Sequence, residues 1–197
     1  MKVLSMLSVF LFAAAAARQE GAVTLPAAYK IQFENEWVKV TRVHYAPLQK
    51  LAPHAHTPRP SAYVYLNDGG PVRFKHIGGH NTVATRPATK AGAFRVYRGL
   101  VEIHEVENTS ATPSEFLRVE LKTEATNPDA FRGKFERPAP GAGSAELIQF
   151  DHPQVSISRI RVAPRGRLVV TGAPSLLIAL IPGGSTTLGQ ELWLAHS

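Results

Sequence analysis

The 197-residue chain contains no cysteine. Disulfide scaffolds, thiol chemistry and cysteine-ligated zinc are therefore excluded, and any metal must be held by His, Asp or Glu. There is no run of five or six like charges. The 22 Lys and Arg outweigh 15 Asp and Glu, a net charge of +7, but they are scattered, as on a moderately basic surface and not as on a nucleic-acid-binding arm. G-x-S-x-G, a phosphate-binding glycine loop and H-E-x-x-H are all missing, which sets aside hydrolase triads and nucleotide enzymes. No window beyond residue 28 carries the helical period of 3.6. Apolar runs are also short. The longest follows Met1-Lys2, from Val3 to Ala14, and ends in Ala15-Ala16-Ala17 before Arg18. It falls short of the ~20 residues that cross a bilayer and has the layout of a secretory signal peptide over residues 1–17. The expected mature protein is periplasmic or extracellular, with no membrane attachment after cleavage.

What remains is 44% hydrophobic and 19% charged, enough for a packed core. The apolar residues alternate with period two, as in Trp37 to Tyr45, Tyr63-Val64-Tyr65-Leu66, Val72 to His76, Phe94-Arg95-Val96-Tyr97, Val101 to Val106 and Glu115 to Lys122. Fifteen Gly and 15 Pro punctuate them. Many short strands with frequent turns predict an all-β sandwich or barrel. Residues 31–51 recur at an offset of 117: Ile31-Gln32-Phe33 as Ile148-Gln149-Phe150, Val38 as Val155, Arg42 as Arg159, Ala46-Pro47 as Ala163-Pro164. The pattern predicts a barrel over 28–125, a Pro/Gly-rich linker over 126–145 and a partial second copy over 146–197. Half a copy has open strand edges and an apolar face, so it must pack on the first copy or on a second chain in a homodimer.

Eight His are the residues on which metal chemistry can rest. His54-Ala55-His56 places two imidazoles on one strand face, the spacing of two cis ligands. His104 opens His104-Glu105-Val106-Glu107-Asn108. With these two segments the chain resembles the cupin superfamily, whose first motif carries H-x-H, then Glu and Gly, and whose second ends in His-x-x-x-Asn. The resemblance covers about 30–122. It implies a jelly-roll β-barrel, here with a partial cupin-like segment packed against it as a degenerate bicupin, and a divalent metal (Fe, Mn or Zn) on His54, His56 and His104. Three-His sites occur in some cupin dioxygenases. The family's opening Gly position holds Leu48, and its Glu ligand falls at Ser61 or Ala62. Glu102, on the face of His104, and His76, alternating with Val72 and Phe74, are candidates for the missing donor; Asn108 and Tyr63 are candidate pocket residues. In the second copy, Thr171 and Ala173 stand where His54 and His56 would align, so no metal is expected there.

Two functions follow from that resemblance. One is a metal-dependent dioxygenase or isomerase acting on a small polar metabolite; the other is a non-catalytic periplasmic protein that binds a small ligand, with the metal structural or missing. Neither needs a nucleic acid.

Overall fold

The computed structural model describes residues 25–78, 82–139, 143–165, 169, 174–180 and 188–194. The 1–17 segment, Thr171 and Ala173 lie outside them. The described residues form fourteen strands: β1 Tyr29–Glu34, β2 Val38–Tyr45, β3 Lys50–His56, β4 Ser61–Tyr65, β5 Val72–Ile77, β6 Val83–Arg86, β7 Phe94–Tyr97, β8 Glu102–Asn108, β9 Ser114–Leu121, β10 Arg132–Phe135, β11 Ala145–His152, β12 Val155–Arg161, β13 Ser175–Ile178 and β14 Glu191–Leu194. One sheet runs β1-β2-β9-β4-β7-β10 and a second β3-β8-β5-β6; β11-β12 and β13-β14 are separate hairpins. Among the described residues no helix is long and apolar enough to cross a membrane.

Strands β2 to β9 pass back and forth between the two main sheets, with β5 and β6 neighbours in the second, in the order of a double Greek-key jelly roll. Strand β9 shows why both faces of the first sheet are buried. Phe116 joins the apolar cluster of the barrel interior with Val43, Tyr45, Tyr65, Val72 and Val106. Leu117, Val119 and Leu121 point the other way, into a cluster with Val38, Val40, Phe94, Val96 and Phe131. That outer face is covered by Phe150, Val155, Ile157, Leu176, Ile178, Leu180 and Leu188. The C-terminal segment thus packs on the barrel through these apolar positions, while Val162 and Val169 are exposed.

The two segments that match in sequence pair alike. In β1–β2, Ile31 opposes Thr41 and Phe33 opposes Val40, with an irregularity between. In β11–β12, Ile148 opposes Ser158 and Phe150 opposes Ile157, with the same irregularity. Residues 126–145 are more than a linker. They contain β10, which extends the first sheet beside β7, and Phe131, which is fully buried. Backbone pairing and an apolar anchor override the Pro/Gly-rich composition there. Leu48, at the family's Gly position, has φ +56°, a left-handed conformation that costs a non-glycine residue about 1–2 kcal/mol.

Phe131 meets Phe150 and His152 edge-on, with ring centroids 5.3 and 5.2 Å away, and joins barrel to C-terminal segment. Phe131→Ala is expected to cost about 3–5 kcal/mol in urea unfolding. Val101→Ala, at an 84% exposed position, should stay within about 0.5 kcal/mol. Equal effects would contradict the covering role of the C-terminal segment.

Candidate metal centre and its cavity

A bulge in β3 decides which way the H-x-H pair faces. Leu51 opposes Val106 and His54 opposes His104, so β3 spends one residue more than β8 between these pairs. Leu51 faces inward with the interior cluster. Without the bulge, strict alternation would turn His54 and His56 outward. Pro53, which has no N–H to donate, sits in the irregular stretch where a regular ladder would need one.

With the bulge in place, His104 stands between two other histidines across the sheet, His54 on β3 and His76 on β5. His56 opposes Glu102 on the next rung. The His54, His56 and His104 rings form a nearly regular triangle with centroids 4.9–5.0 Å apart. A donor atom from each lies within 4.8 Å of the others, and the same holds for His76, Glu102 and His104. His56 Nε2 and His104 Nε2 are 3.2 Å apart. Two nitrogens on one ion at ~2.1 Å bonds, at angles between 90° and tetrahedral, are separated by about 3.0–3.4 Å.

The tautomers follow from the partners. His54 Nδ1–H donates to the Ala52 carbonyl at 2.8 Å, leaving Nε2 to accept from the Tyr29 hydroxyl at 3.0 Å; Tyr29 in turn pairs with the Tyr45 hydroxyl at 2.7 Å. A carbonyl behind one ring nitrogen and a lone pair on the other, here accepting from Tyr29, is the orientation of a metal-ligating histidine. Arg118 Nη1, which can only donate, lies 2.5 Å from His56 Nδ1. His56 therefore carries its proton on Nε2 and donates it to His104 Nε2. His104 Nδ1–H is buried with no hydrogen-bond partner and faces Glu102 Oε1 at 3.8 Å. His54 and His104 are thus in ligating form. His56 reaches it when its proton moves to Nδ1, which requires Arg118 to withdraw. Arg118 Nη2 already contacts Glu120 Oε1 at 3.1 Å and the Thr57 carbonyl at 3.3 Å.

Electrostatics favour neutral imidazoles, the form that binds metal. Burial, then the Arg118 charge, lowers His56 to about 2. Burial, then His54 and His76, lowers His104 to about 3. Burial also lowers His54, partly offset by the Ala52 hydrogen bond. Burial raises Glu102 against the pull of His76, whose Nδ1 lies 3.5 Å from Glu102 Oε2. Burial pushes Tyr45 up to about 12.

A cavity of about 290 Å³ between the two sheets is lined by His56, His76, Glu102 and His104 from one sheet and Tyr63, Arg95 and Arg118 from the other, with His54 behind Tyr29 at its edge. Tyr63 is therefore a lining residue. Asn108 is not; its amide donates to the carbonyls of Ala46 and Thr112, both at 2.9 Å, and accepts from Ser110 N. It pins a turn at the far end of β8 instead of serving as a ligand or pocket residue. Arg86, Arg95, Arg118, Tyr29 and Tyr45 reach the cavity without having been singled out in the sequence. Arg118 left a signal, an arginine between Phe116 and Glu120 on one face of a strand whose other face is Leu117, Val119 and Leu121. His152 stacks on Phe150 and bonds the Asn127 carbonyl at 3.3 Å, away from the cluster.

No protein-family model matches the chain, and no curated protein matches it. Among solved structures, a cupin domain from Bordetella pertussis Tohama I is 27% identical over 48% of this chain and 92% of its own, with a TM-score of 0.41. A Klebsiella pneumoniae protein with a double-stranded β-helix domain is 19% identical over 60% of this chain and 88% of its own, with a TM-score of 0.36. Oxalate decarboxylase of Bacillus subtilis, described by its Mn(II) centers, is 19% identical over 46% of this chain and 23% of its own, with a TM-score of 0.34. By the order of its two sheets, and by the histidines of β3 and β8 on the face between them, the barrel formed by residues 38–121 has the cupin fold.

Proposed function

We propose that the barrel holds one divalent metal ion, Fe, Mn or Zn, on His54, His56 and His104, and that it is a metal-dependent oxygenase or isomerase acting on a small polar metabolite outside the cytoplasm. The 3.2 Å separation of His56 Nε2 and His104 Nε2 carries this reading. Such an ion supplies Lewis acidity or, with iron or manganese, a route for electrons. The chain's own residues do the rest. Ala52 orients His54, and the Tyr29–Tyr45 hydroxyl pair closes the floor beside it. Three neutral donors would leave further coordination positions for water or substrate, which a catalytic site requires. Glu102, between His76 and His104, stands where it can serve as a fourth donor. The layout of residues 1–17 supports export; an exported form whose mass begins at Arg18 is expected, and a cell-retained full-length form would contradict it.

Elemental analysis after incubation with Fe(II), Mn(II) or Zn(II) tests the centre. The wild-type protein should retain about one ion per chain. His54→Ala and His104→Ala should each lose most of it, whereas His152→Ala should retain it. Equal retention in all three variants would show the binding to be adventitious.

The metal-free protein should also show a particular pH dependence. The three histidines are held below their ordinary value of 6.5 in the fold and regain it on unfolding. Their contribution is complete above pH 6.5 and is lost as pH falls below it, with up to about three protons taken up on unfolding near pH 5. Urea midpoints should therefore fall steeply between pH 7 and pH 5. The His54→Gln, His56→Gln, His104→Gln triple variant should show a flatter profile; an identical slope would contradict the burial of neutral imidazoles.

A further inference from the structure

The wall facing the histidines is built from cations. In the first sheet, Arg118 of β9 opposes Tyr63 of β4, Tyr63 opposes Arg95 of β7, and Arg95 opposes Lys134 of β10. One row thus carries three basic side chains, two of which flank a single aromatic ring, with the Arg95 guanidinium 4.6 Å and the Arg118 guanidinium 5.9 Å from the Tyr63 centroid. Arg86, at the end of β6, reaches the same cavity from the second sheet and packs over Phe116 and Tyr65 at 5.2 and 5.3 Å.

These charges are costly where they stand. Like charges directly opposed across strands destabilise a sheet, and Arg95 and Lys134 are so opposed. Arg86 and Arg118 are more than nine-tenths buried. Nε of Arg86, Arg95 and Arg118 is buried without a hydrogen-bond partner in each case. Arg118 has an ion pair with Glu120, and the Arg86 head group bonds the hydroxyls of Ser114, at 3.2 Å, and Tyr65. Glu102 is the one carboxylate among the described lining residues, and it is engaged by His76. A buried guanidinium without a counter-charge carries a desolvation penalty that an incoming anion offsets.

We propose that the Arg95–Tyr63–Arg118 row, with Arg86, is the binding subsite for a small carboxylate, which would be presented to the three histidines across the cavity. The proposal rests on the barrel interior being the site described above. The planar guanidinium fork matches a carboxylate in two parallel hydrogen bonds. The faces of Tyr63 and Phe116 suit a short carbon body, and 290 Å³ lies at the lower end of small-molecule pockets, which restricts the ligand to a compact acid. Arg118 links the two halves. Released from His56 when His56 takes up ligating form, its Nη1 becomes available to the anion, so metal and carboxylate should each favour the binding of the other.

Calorimetric titration of the full-length protein, metal-free and Zn(II)-loaded, with malonate, malonamide and inorganic phosphate tests this. Malonate should bind saturably, more tightly to the loaded protein, and malonamide should bind at least about ten-fold more weakly. Arg95→Gln should weaken malonate about 10–100-fold, with Arg95→Lys recovering only part. Arg95 is the residue to substitute because it is half-buried, so the variants should fold; circular dichroism checks this. Equal binding of malonate and malonamide, an unchanged affinity in Arg95→Gln, or binding of phosphate but not malonate would overturn the proposal. Metal content of the same samples separates the two claims. A protein that holds its ion but ignores malonate refutes the subsite and leaves the metal centre standing. Malonate binding that depends on Arg95 in a protein unable to retain metal supports the subsite and refutes the centre.

Discussion

One extra residue in β3 sets the chemistry of the barrel interior. Between Leu51 and His54 the strand is longer than its partner, and everything beyond that point is turned by one face. Leu51 packs into the apolar interior; His54 and His56, which strict alternation would send to solvent, join the same interior instead. The Ala52 carbonyl exposed by the irregularity receives the His54 Nδ1 proton. Register, side-chain direction and tautomer are therefore consequences of one backbone feature, and Pro53 fits it because a bulge does not need its missing N–H.

The interior is divided by charge. One wall gathers imidazoles, with Glu102 as the one carboxylate among the described lining residues and Arg86 at its edge; the other gathers Arg95, Arg118 and tyrosine rings. The two are electrostatically coupled, because Arg118 adds to the burial that holds His56, His104 and His54 neutral. The same field that makes imidazolium unfavourable makes an anion favourable. Keeping such groups in place demands a rigid frame. The first sheet provides it by burying both faces, the inner one in the barrel and the outer one under the C-terminal hairpins.

Much of this architecture was legible in residue patterns. Period-two alternation and frequent Gly and Pro pointed to an all-β fold, and the offset of 117 located a second hairpin whose pairing irregularity matches the first. The H-x-H spacing placed two histidines on one face, and alternation from His104 brought Glu102 along. Other features were beyond local patterns. Which face the H-x-H takes depends on a bulge that alternation cannot reveal. Tyr29, Arg86 and Arg95 reach the cavity from strands distant in sequence, and only the closed sheet order brings them there. Asn108 shares the face of His104, yet four residues further along a strand is the other end of the barrel. Residues 132–135 read as linker by composition because their strand is recruited by pairing with β7 and by the burial of Phe131.

The account turns on His54, His56 and His104 serving as one donor set, with Arg118 yielding His56 Nδ1 when they do. A crystal structure of the Zn(II)-loaded protein, with anomalous scattering recorded at the zinc edge, measures both at once. The account predicts a single strong anomalous peak about 2.1 Å from the Nε2 atoms of the three histidines, with the Arg118 guanidinium moved off His56. A peak at other residues, or zinc bound with Arg118 still against His56 Nδ1, would contradict it.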